Sequence, residues 1–311
     1  MRRNARIADL PQNTTSTKPN RKRKVAEKIA PIKRHNFGGP FRRQSWPFRD
    51  TLINYITKTP SNSKAWQKLI QSCKYFFAKN PVLVIENLWW DEEDWCASLN
   101  NDAGPVDFTK ISLKFWITNK FSATCAPPGN GISLIIPKIY KCGVKYLSLV
   151  KDVISYKDFS FLFSNLENIV LRDNIVKNSD GSIVPFEKIF AVLPKIKECY
   201  FYDKIDSSCI TKNTIKELLQ IPHFSKINKL YFYQIPETFD IETFFKYSKK
   251  NKHTKFSITF GNSISETYKN RLEAVVDEII ESEKHDYTVL NIMFNGIDGE
   301  KLTKLCSLSY P

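Results

Sequence analysis

The sequence lacks the features that mark several large classes of protein. It contains no run of about eighteen apolar residues, so we expect no transmembrane helix. Its first residues carry no apolar stretch of the kind found in secretory signals, and we therefore expect a nuclear or cytoplasmic protein. Seven cysteines are present, and no two lie closer than ten residues, which favours reduced, buried thiols over a disulfide framework.

Histidine and glycine are also scarce. The four histidines are scattered, and the sequence shows no HExxH pair, P-loop, G-x-S-x-G turn or metal-ligand spacing. We therefore expect that the protein is not an enzyme and that it binds no cofactor or metal. The ten glycines include no glycine-rich turn after a first strand, which disfavours a doubly wound dinucleotide-binding sheet.

Positive charge is concentrated at the beginning of the chain. Residues 1–49 hold fourteen Lys and Arg against two acids, which gives +12 of the net charge of +15. Because residues 1–44 are also poor in aromatics and rich in Pro, Asn, Thr and Ser, they are predicted to be a disordered basic tail. Two basic clusters in this tail are candidates for a nuclear import signal: Arg21, Lys22, Arg23, Lys24, Lys33 and Arg34. The alternatives are a solvated charge run and weak contacts with nucleic acid phosphates, and no DNA-reading motif accompanies the charge.

Residues 45–80 are predicted to form two short amphipathic helices. Pro47 suits the first turn of the first helix, and Pro60 closes it. The apolar spacing in WQKLIQSCKYFF (residues 66–77) predicts the second helix, which ends before Pro81. Two short helices cannot close a core alone, so they must pack on the following domain or on a partner.

The remainder of the chain shows a weak repeat of strand-like and helix-like segments. LENIVLRDNIV (residues 166–176) reads L-x-x-I-x-L-x-x-N-x-V, close to the leucine-rich-repeat pattern, and YTVLNIMFNGI (residues 287–297) repeats it. The equivalent positions of these and five weaker copies are Leu113, Leu149, Leu171, Phe201, Phe232, Ile258 and Ile292. Helical spacing is found between the copies, over residues 155–166, 184–194, 211–222, 238–251 and 268–281. The predicted fold is therefore α/β, an irregular leucine-rich-repeat-like solenoid of strand–helix units, with a doubly wound sheet as the alternative.

The helical stretch resembles a known family. WPFRDTLINYI (residues 46–56) and CKYFF (residues 73–77) resemble a divergent F-box, with a proline-led first helix and a Cys-Lys-aromatic-Phe ending. The resemblance implies docking to a Skp-type adaptor of a cullin ubiquitin ligase. It assigns this docking to Pro47, Leu52, Ile53, Ile56, Trp66, Leu69, Ile70, Cys73 and Phe76. We expect Ile53 and Ile56 to face the partner and Phe77 to face the core of the chain.

Residues 45–308 as a whole resemble lineage-expanded nematode families that join an F-box-like start to a divergent leucine-rich-repeat-like domain. The stretches IIPKIYKCGVKYLSL, IPHFSKINKLYFYQIPETFDIETFF and YKNRLEAVVDEIIE carry this similarity. The domains predicted from this likeness and from composition are the tail (residues 1–44), an F-box-like helical cap (residues 45–80), a linker region (residues 81–106) and a leucine-rich-repeat-like domain (residues 107–311).

The function implied by the resemblance is that of a protein-interaction module. Its partners would be the Skp-type adaptor and a substrate protein, and other subunits would add ubiquitin. The alternative is a nuclear binding or scaffolding protein in which residues 46–79 only cap the solenoid and no ubiquitin ligase is involved.

Overall fold

The computed structural model describes residues 45–99, 102–124 and 131–309, all of which belong to one unit of the chain, residues 37–311. The predicted basic tail and the six candidate import-signal residues lie outside the described residues. The predictions that concern the helices, the strands and the adaptor-docking positions all fall within them.

Thirteen strands are present in the described part of the chain. They are β1 (Val82–Asp91), β2 (Asp94–Leu99), β3 (Asp102–Pro105), β4 (Lys114–Thr124), β5 (Ile139–Cys142), β6 (Tyr146–Val150), β7 (Val153–Ser155), β8 (Asn168–Arg172), β9 (Ile175–Lys177), β10 (Glu198–Tyr202), β11 (Lys229–Ile235), β12 (Lys255–Phe260) and β13 (Asn291–Met293). Eleven of them form one sheet in the order β13-β12-β11-β10-β8-β6-β4-β1-β2-β3, with β5 also paired to β4, and β7 pairs with β9 separately.

The sheet is open and mostly parallel. Every pair from β1 to β13 along this order is parallel, and only the β1–β2–β3 meander is antiparallel. From β4 to β13, each new strand of the main sheet is added beside an earlier one in chain order. The predicted α/β class is therefore confirmed in the form of a large parallel sheet with helical connections.

The register confirms six of the seven positions that the repeat pattern made equivalent. One row of directly paired residues crosses the sheet and consists of Ala123, Leu149, Leu171, Phe201, Phe232, Ile258 and Ile292. The prediction for Leu113 is wrong, because β4 begins only at Lys114 and places Ala123 in this row. The segment before β4 is a turn with exposed polar residues, and its buried Phe108 packs on Phe115 with ring centroids 5.2 Å apart.

Ten α-helices accompany the described strands. They are α1 (Asp50–Lys58), α2 (Ser63–Ser72), α3 (Lys74–Lys79), α4 (Ile132–Ile135), α5 (Tyr156–Phe163), α6 (Phe186–Ala191), α7 (Thr214–Leu218), α8 (Ile241–Ser248), α9 (Glu266–Glu281) and α10 (Gly299–Ser309). The five predicted helical segments of the repeat region are confirmed as α5 to α9. Three of these helices start at a residue whose side chain caps it: Ser155 for α5, Asp240 for α8 and Ser265 for α9.

The main core lies between one face of the sheet and the helices of the repeat region. It contains the row through Leu149 and Leu171 together with helical side chains such as Phe159, Phe190 and Val276. Strand β10 alternates between buried and half-exposed residues along its length. This alternation is typical of a sheet with one buried face, whereas a doubly wound sheet buries both faces of its central strands.

Turns after the strands recur from unit to unit. Lys151 and Asp173 directly follow β6 and β8 and adopt positive φ angles of 58° and 55°, and Gln234, at the register shift near the end of β11, has a φ of 59°. The side chain of Asn174, which is the Asn of the repeat pattern, accepts from the Asp152 amide at 2.9 Å and donates to the Leu149 carbonyl at 2.8 Å. The unit that contains Asn174 is thereby tied to the turn of the unit before it.

Helices α1 to α3 pack on the other face of the sheet, at the end formed by β1, β4 and β5. Their core consists of Ile53, Trp66 and Phe76 together with the strand residues Val82, Val84 and Trp116. Val84 and Trp116 alternate along their strands with Ile85 and Phe115, which belong to the main core. Since side chains alternate between the two faces of a strand, α1 to α3 cover the face opposite to α4–α10.

Two predictions about these helices are wrong in detail. The second helix is broken at Cys73, whose backbone is extended (φ −149°, ψ 122°), so α2 and α3 are separate. The break lets α3 turn Phe76 toward Trp66, with ring centroids 6.4 Å apart. Pro47 precedes α1 by three residues and does not lie in its first turn. The predicted end before Pro81 is confirmed, since Asn80 has extended backbone angles.

The prediction of a linker region over residues 81–106 is also wrong. This stretch forms β1, β2 and β3, and β1 is an interior strand of the sheet. The acidic residues of WWDEEDW (residues 89–95) form a hairpin with a two-residue turn at Glu92 and Glu93, flanked by the pair Trp90 and Trp95. These two rings pack edge to face at 5.7 Å and are buried. The tryptophans in WWDEEDW therefore hold a hairpin together.

Candidate protein-interaction surfaces

The first candidate surface lies on the face of the sheet opposite to helices α4–α10. It extends from the second half of β4 to β12, beyond the part that α1 to α3 cover, and is called the open face below. Its rows are fixed by the register of the parallel strands. The outward-facing residues from β4 to β12 are Lys120, Ser122, Thr124, Tyr146, Ser148, Val150, Asn168, Val170, Arg172, Glu198, Tyr200, Tyr202, Lys229, Tyr231, Tyr233, Lys255, Ser257 and Thr259. Apart from Val150 and Val170 they are polar or aromatic, and they alternate with the buried repeat positions, but only the register brings them side by side.

Tyrosines form two stacks in the middle of the open face. The ring centroids of Tyr202 and Tyr233 lie 4.1 Å apart, and the two rings are nearly parallel, with 8° between their planes. Tyr200 and Tyr231 form the second stack at 4.9 Å. Parallel strands place identical register positions about 4.8 Å apart, close to the stacking distance of aromatic rings. The stacks follow directly from tyrosine at the same two positions of β10 and β11.

A shallow cavity lies over β8 next to these stacks. It has a volume of about 370 Å³. Val170 and Asn168 of β8 form its floor, while Tyr146 of β6 lines one side and Glu198, Tyr200 and Tyr202 of β10 line the other. Because β8 separates β6 from β10, these walls stand about 10 Å apart at their backbones. A trough of this width accepts a large side chain or a narrow chain segment.

The open face is predominantly cationic. Its outward-facing positions from β4 to β12 include Lys120, Arg172, Lys229 and Lys255 against the single acid Glu198. Lys229 pairs with Glu198 at 3.0 Å, and the hydrogen bond that the ammonium donates to this carboxylate raises the pKa of Lys229.

Arg172 and Lys120, by contrast, lie over tyrosine rings. The Arg172 guanidinium is 4.3 Å from the centroid of Tyr202, and the Lys120 ammonium is 5.1 Å from that of Tyr146. Neither makes an ion pair with any residue that the structure describes. The cations nearest the trough therefore remain open to an anionic ligand.

The second candidate surface is the helical segment to which the F-box resemblance assigns adaptor docking. Three of the nine assigned residues are buried within the chain, namely Ile53, Trp66 and Phe76. Ile56, Leu69, Ile70 and Cys73 are half-buried, and Pro47 and Leu52 are exposed. The expectation that Ile53 faces a partner is wrong, because only 4% of its surface is exposed. Phe77, expected in the core, is half-buried.

An exposed apolar patch lies on the outer side of α1. It consists of Phe48, Leu52 and Tyr55, which are 58%, 44% and 68% exposed. Sequence reasoning found Leu52 but missed the two aromatics. Ile53 and Thr57 are the buried residues of α1, so the side of the helix that carries Leu52 and Tyr55 faces solvent. Phe48 lies just before the helix. The patch is called the α1 patch below.

Two buried carboxylates elsewhere in the described chain accept hydrogen bonds from neighbouring residues. Asp203 is buried and accepts hydrogen bonds from the Ser208 hydroxyl and from the amides of Lys204 and Cys209, although burial still raises its pKa. The buried Glu187 accepts from the Thr214 hydroxyl at 2.9 Å. Within the described ranges, no group of three or more metal-ligating side chains is found, and no helix is long and apolar enough to cross a membrane.

Three comparisons with known proteins were made. No family model matches this chain, and neither a curated protein nor a solved structure matches it.

Proposed function

We propose that this protein is a protein-binding receptor that presents a substrate to a cullin ubiquitin ligase. Helices α1 to α3 dock a Skp-type adaptor, and the open face of the sheet binds the substrate protein. The observation that carries the proposal is the coexistence of two separate interaction surfaces, the α1 patch and the open face, on one rigid sheet. A receptor needs two such surfaces, because it holds its substrate and its ligase at the same time.

The α1 patch supports the adaptor contact. Of the six large hydrophobic residues that are exposed in the described part of the chain, three form this patch. Apolar side chains that are exposed together on one helix are typical of a docking face. Ile56, which the resemblance also assigns to the adaptor, is half-buried beside them.

The architecture supports the leucine-rich-repeat-like interpretation of the second domain. Its strands are added in chain order, its connections recur, and the Asn of the repeat pattern bridges neighbouring units. In such repeats the exposed side of the sheet is free to bind a partner while the helices complete the core.

The alternative function, a nuclear binding or scaffolding protein without a ligase, is favoured by a different observation. Trp66 is only 1% exposed, and its indole is hydrogen-bonded to β1. Helices α1 to α3 thus already serve as a cap of the sheet. Helices that only cover the sheet in this way need no adaptor.

The two functions can be separated by a pair of substitutions in the α1 patch. We expect Leu52→Asp with Tyr55→Asp to abolish co-purification of the Skp-type adaptor and cullin with the tagged full-length protein, while the melting curve stays close to that of the wild type. The matched control is Phe161→Asp on α5, since Phe161 is a similarly exposed apolar residue (68%) on another element. This control should retain the adaptor.

Failure of the wild-type protein to co-purify an adaptor would support the scaffolding alternative. Retention of the adaptor by a folded Leu52→Asp, Tyr55→Asp chain would place the contact elsewhere. Both measurements use the full chain in cells, with thermal denaturation of the purified variants as the control for folding.

A further inference from the structure

We infer that the open face binds an extended acidic segment of its partner, with a carboxylate on Arg172 and a large side chain in the trough over Val170. This inference rests on the proposed function, because it names the chemistry of the substrate that the receptor would hold.

The charge of the open face selects an acidic partner. Four of its outward-facing residues from β4 to β12 are cationic and one is anionic. Glu198 is already engaged with Lys229, so the acid is neutralised locally. Arg172 lies two residues after Val170 on β8, and its guanidinium is held over the ring of Tyr202, which lines the trough. A guanidinium fixed in this way offers two parallel N–H donors to a carboxylate.

The orientation of the tyrosines favours a peptide over single-stranded nucleic acid. Bases bind to aromatic residues by stacking on a free ring face. In the stack of Tyr202, one ring face is covered by Tyr233 and the other by Arg172. The stack of Tyr200 is covered on one side by Tyr231. The Tyr202 ring thus presents its edge and hydroxyl group, which suit hydrogen bonds to carboxylates and peptide groups.

The trough adds a requirement for one large side chain. Its floor is the short Val170, and its walls are Tyr146 on one side and Tyr200 with Tyr202 on the other. Glu198 also lines the trough, where its carboxylate is paired with Lys229, so the trough itself takes the bulky side chain and the acid of the partner lies at Arg172. A volume of about 370 Å³ exceeds what a single carboxylate fills. A partner segment that runs over β8 can place an apolar or aromatic side chain here while a neighbouring acid reaches Arg172. The expected ligand therefore combines an acidic residue with a bulky one at short spacing.

The test is selection of random dodecapeptides by display on the immobilised full chain. We expect the selected pool to be enriched in Asp and Glu next to a bulky side chain. For the peptide selected most strongly, Arg172→Glu and Tyr202→Ala should each weaken binding by about tenfold or more in fluorescence anisotropy. Lys246→Glu, a charge reversal at an exposed residue of α8, is the matched control and should leave binding unchanged. Added salt should weaken the wild-type interaction.

Several outcomes would overturn the inference. These are the absence of any selected peptide, a pool without acidic enrichment, and unchanged binding in a folded Arg172→Glu variant. Binding of labelled oligo(U) RNA that is lost in Tyr202→Ala would assign the open face to nucleic acid. Arg172→Gln supplies a neutral variant should the charge reversal impair folding.

Adaptor co-purification by the same variants separates this inference from the proposed function. Capture of the adaptor without selection of acidic peptides rejects only the inference. Selection of acidic peptides without capture of an adaptor rejects only the ligase function.

Discussion

The indole N–H of Trp66 donates a hydrogen bond to the backbone carbonyl of Val82 at 3.0 Å. This bond joins α2 to β1 across a buried contact and explains how short helices remain attached to the sheet. Indole N–H groups that are buried usually find such a partner, because leaving one unpaired is costly. Trp66 is thus a structural residue of the chain, whatever its neighbours bind.

Removal of this bond should destabilise the protein. Trp66→Phe keeps an aromatic ring but leaves the carbonyl of Val82 without its buried donor, so we expect a loss of about 1–3 kcal/mol in the free energy of unfolding. Urea denaturation measures this loss. A variant as stable as the wild type would show that water replaces the indole.

Ile53 and Leu52 are sequence neighbours with opposite roles. Ile53→Ala should lower the free energy of unfolding by about 2–5 kcal/mol, because it opens a cavity in the core between α1 and the sheet. Leu52→Ala, at a residue that is 44% exposed, should change it by less than about 1 kcal/mol. Equal effects of the two substitutions would contradict the orientation of α1. Thermal or urea denaturation of both purified variants checks the pair.

Asn174 and Asn295 occupy the same position of the repeat pattern, but only one bridges two units. Asn174→Ala leaves the Leu149 carbonyl and the Asp152 amide unpaired, so we expect a loss of about 1–3 kcal/mol. Asn295 is exposed, and Asn295→Ala should be close to neutral. Denaturation curves of the two variants provide the comparison. An Asn174→Ala variant as stable as the wild type would show that the bridge does not stabilise the fold.

The contribution of the buried Cys199 thiol to the free energy of unfolding should depend on pH. Burial raises its pKa from the ordinary 9.0 to about 12, so the native thiol stays protonated where an unfolded chain would ionise. Between these two values the unfolded chain binds fewer protons, and the contribution of Cys199 to stability therefore falls as the pH rises.

The same burial predicts low thiol reactivity. At about pH 8, iodoacetamide should leave Cys199 unmodified in the native protein and modify it after denaturation, since the thiolate is the reactive form. The half-buried Cys306 should react earlier and serves as the internal reference. Mass spectrometry of digested samples gives the order, and rapid labelling of native Cys199 would contradict its burial.

The sequence alone determined the α/β class of the fold and the alternation of its strands and helices. Alternation at Leu149, Leu171 and Phe201 predicts strands, and the 3.6-residue spacing around Phe159 or Val276 predicts the helices between them. Both periods are local properties of the chain, so they can be read without knowing which strands pair. The same reasoning failed at residues 81–106, because charged residues in a tight hairpin and in a linker have the same composition.

The tertiary structure decided which residues are neighbours and which remain exposed. Tyr202, Tyr233 and Arg172 are far apart in the sequence, and only the in-register parallel pairing of β8, β10 and β11 stacks them. Likewise, the periodicity of α1 predicts an apolar stripe but not which side of the helix the sheet covers. The sheet surface at Val84 and Trp116 buries Ile53 and thereby leaves Leu52 and Tyr55 outside. A local pattern identifies the faces of an element, but which face is covered depends on contacts between residues distant in the chain.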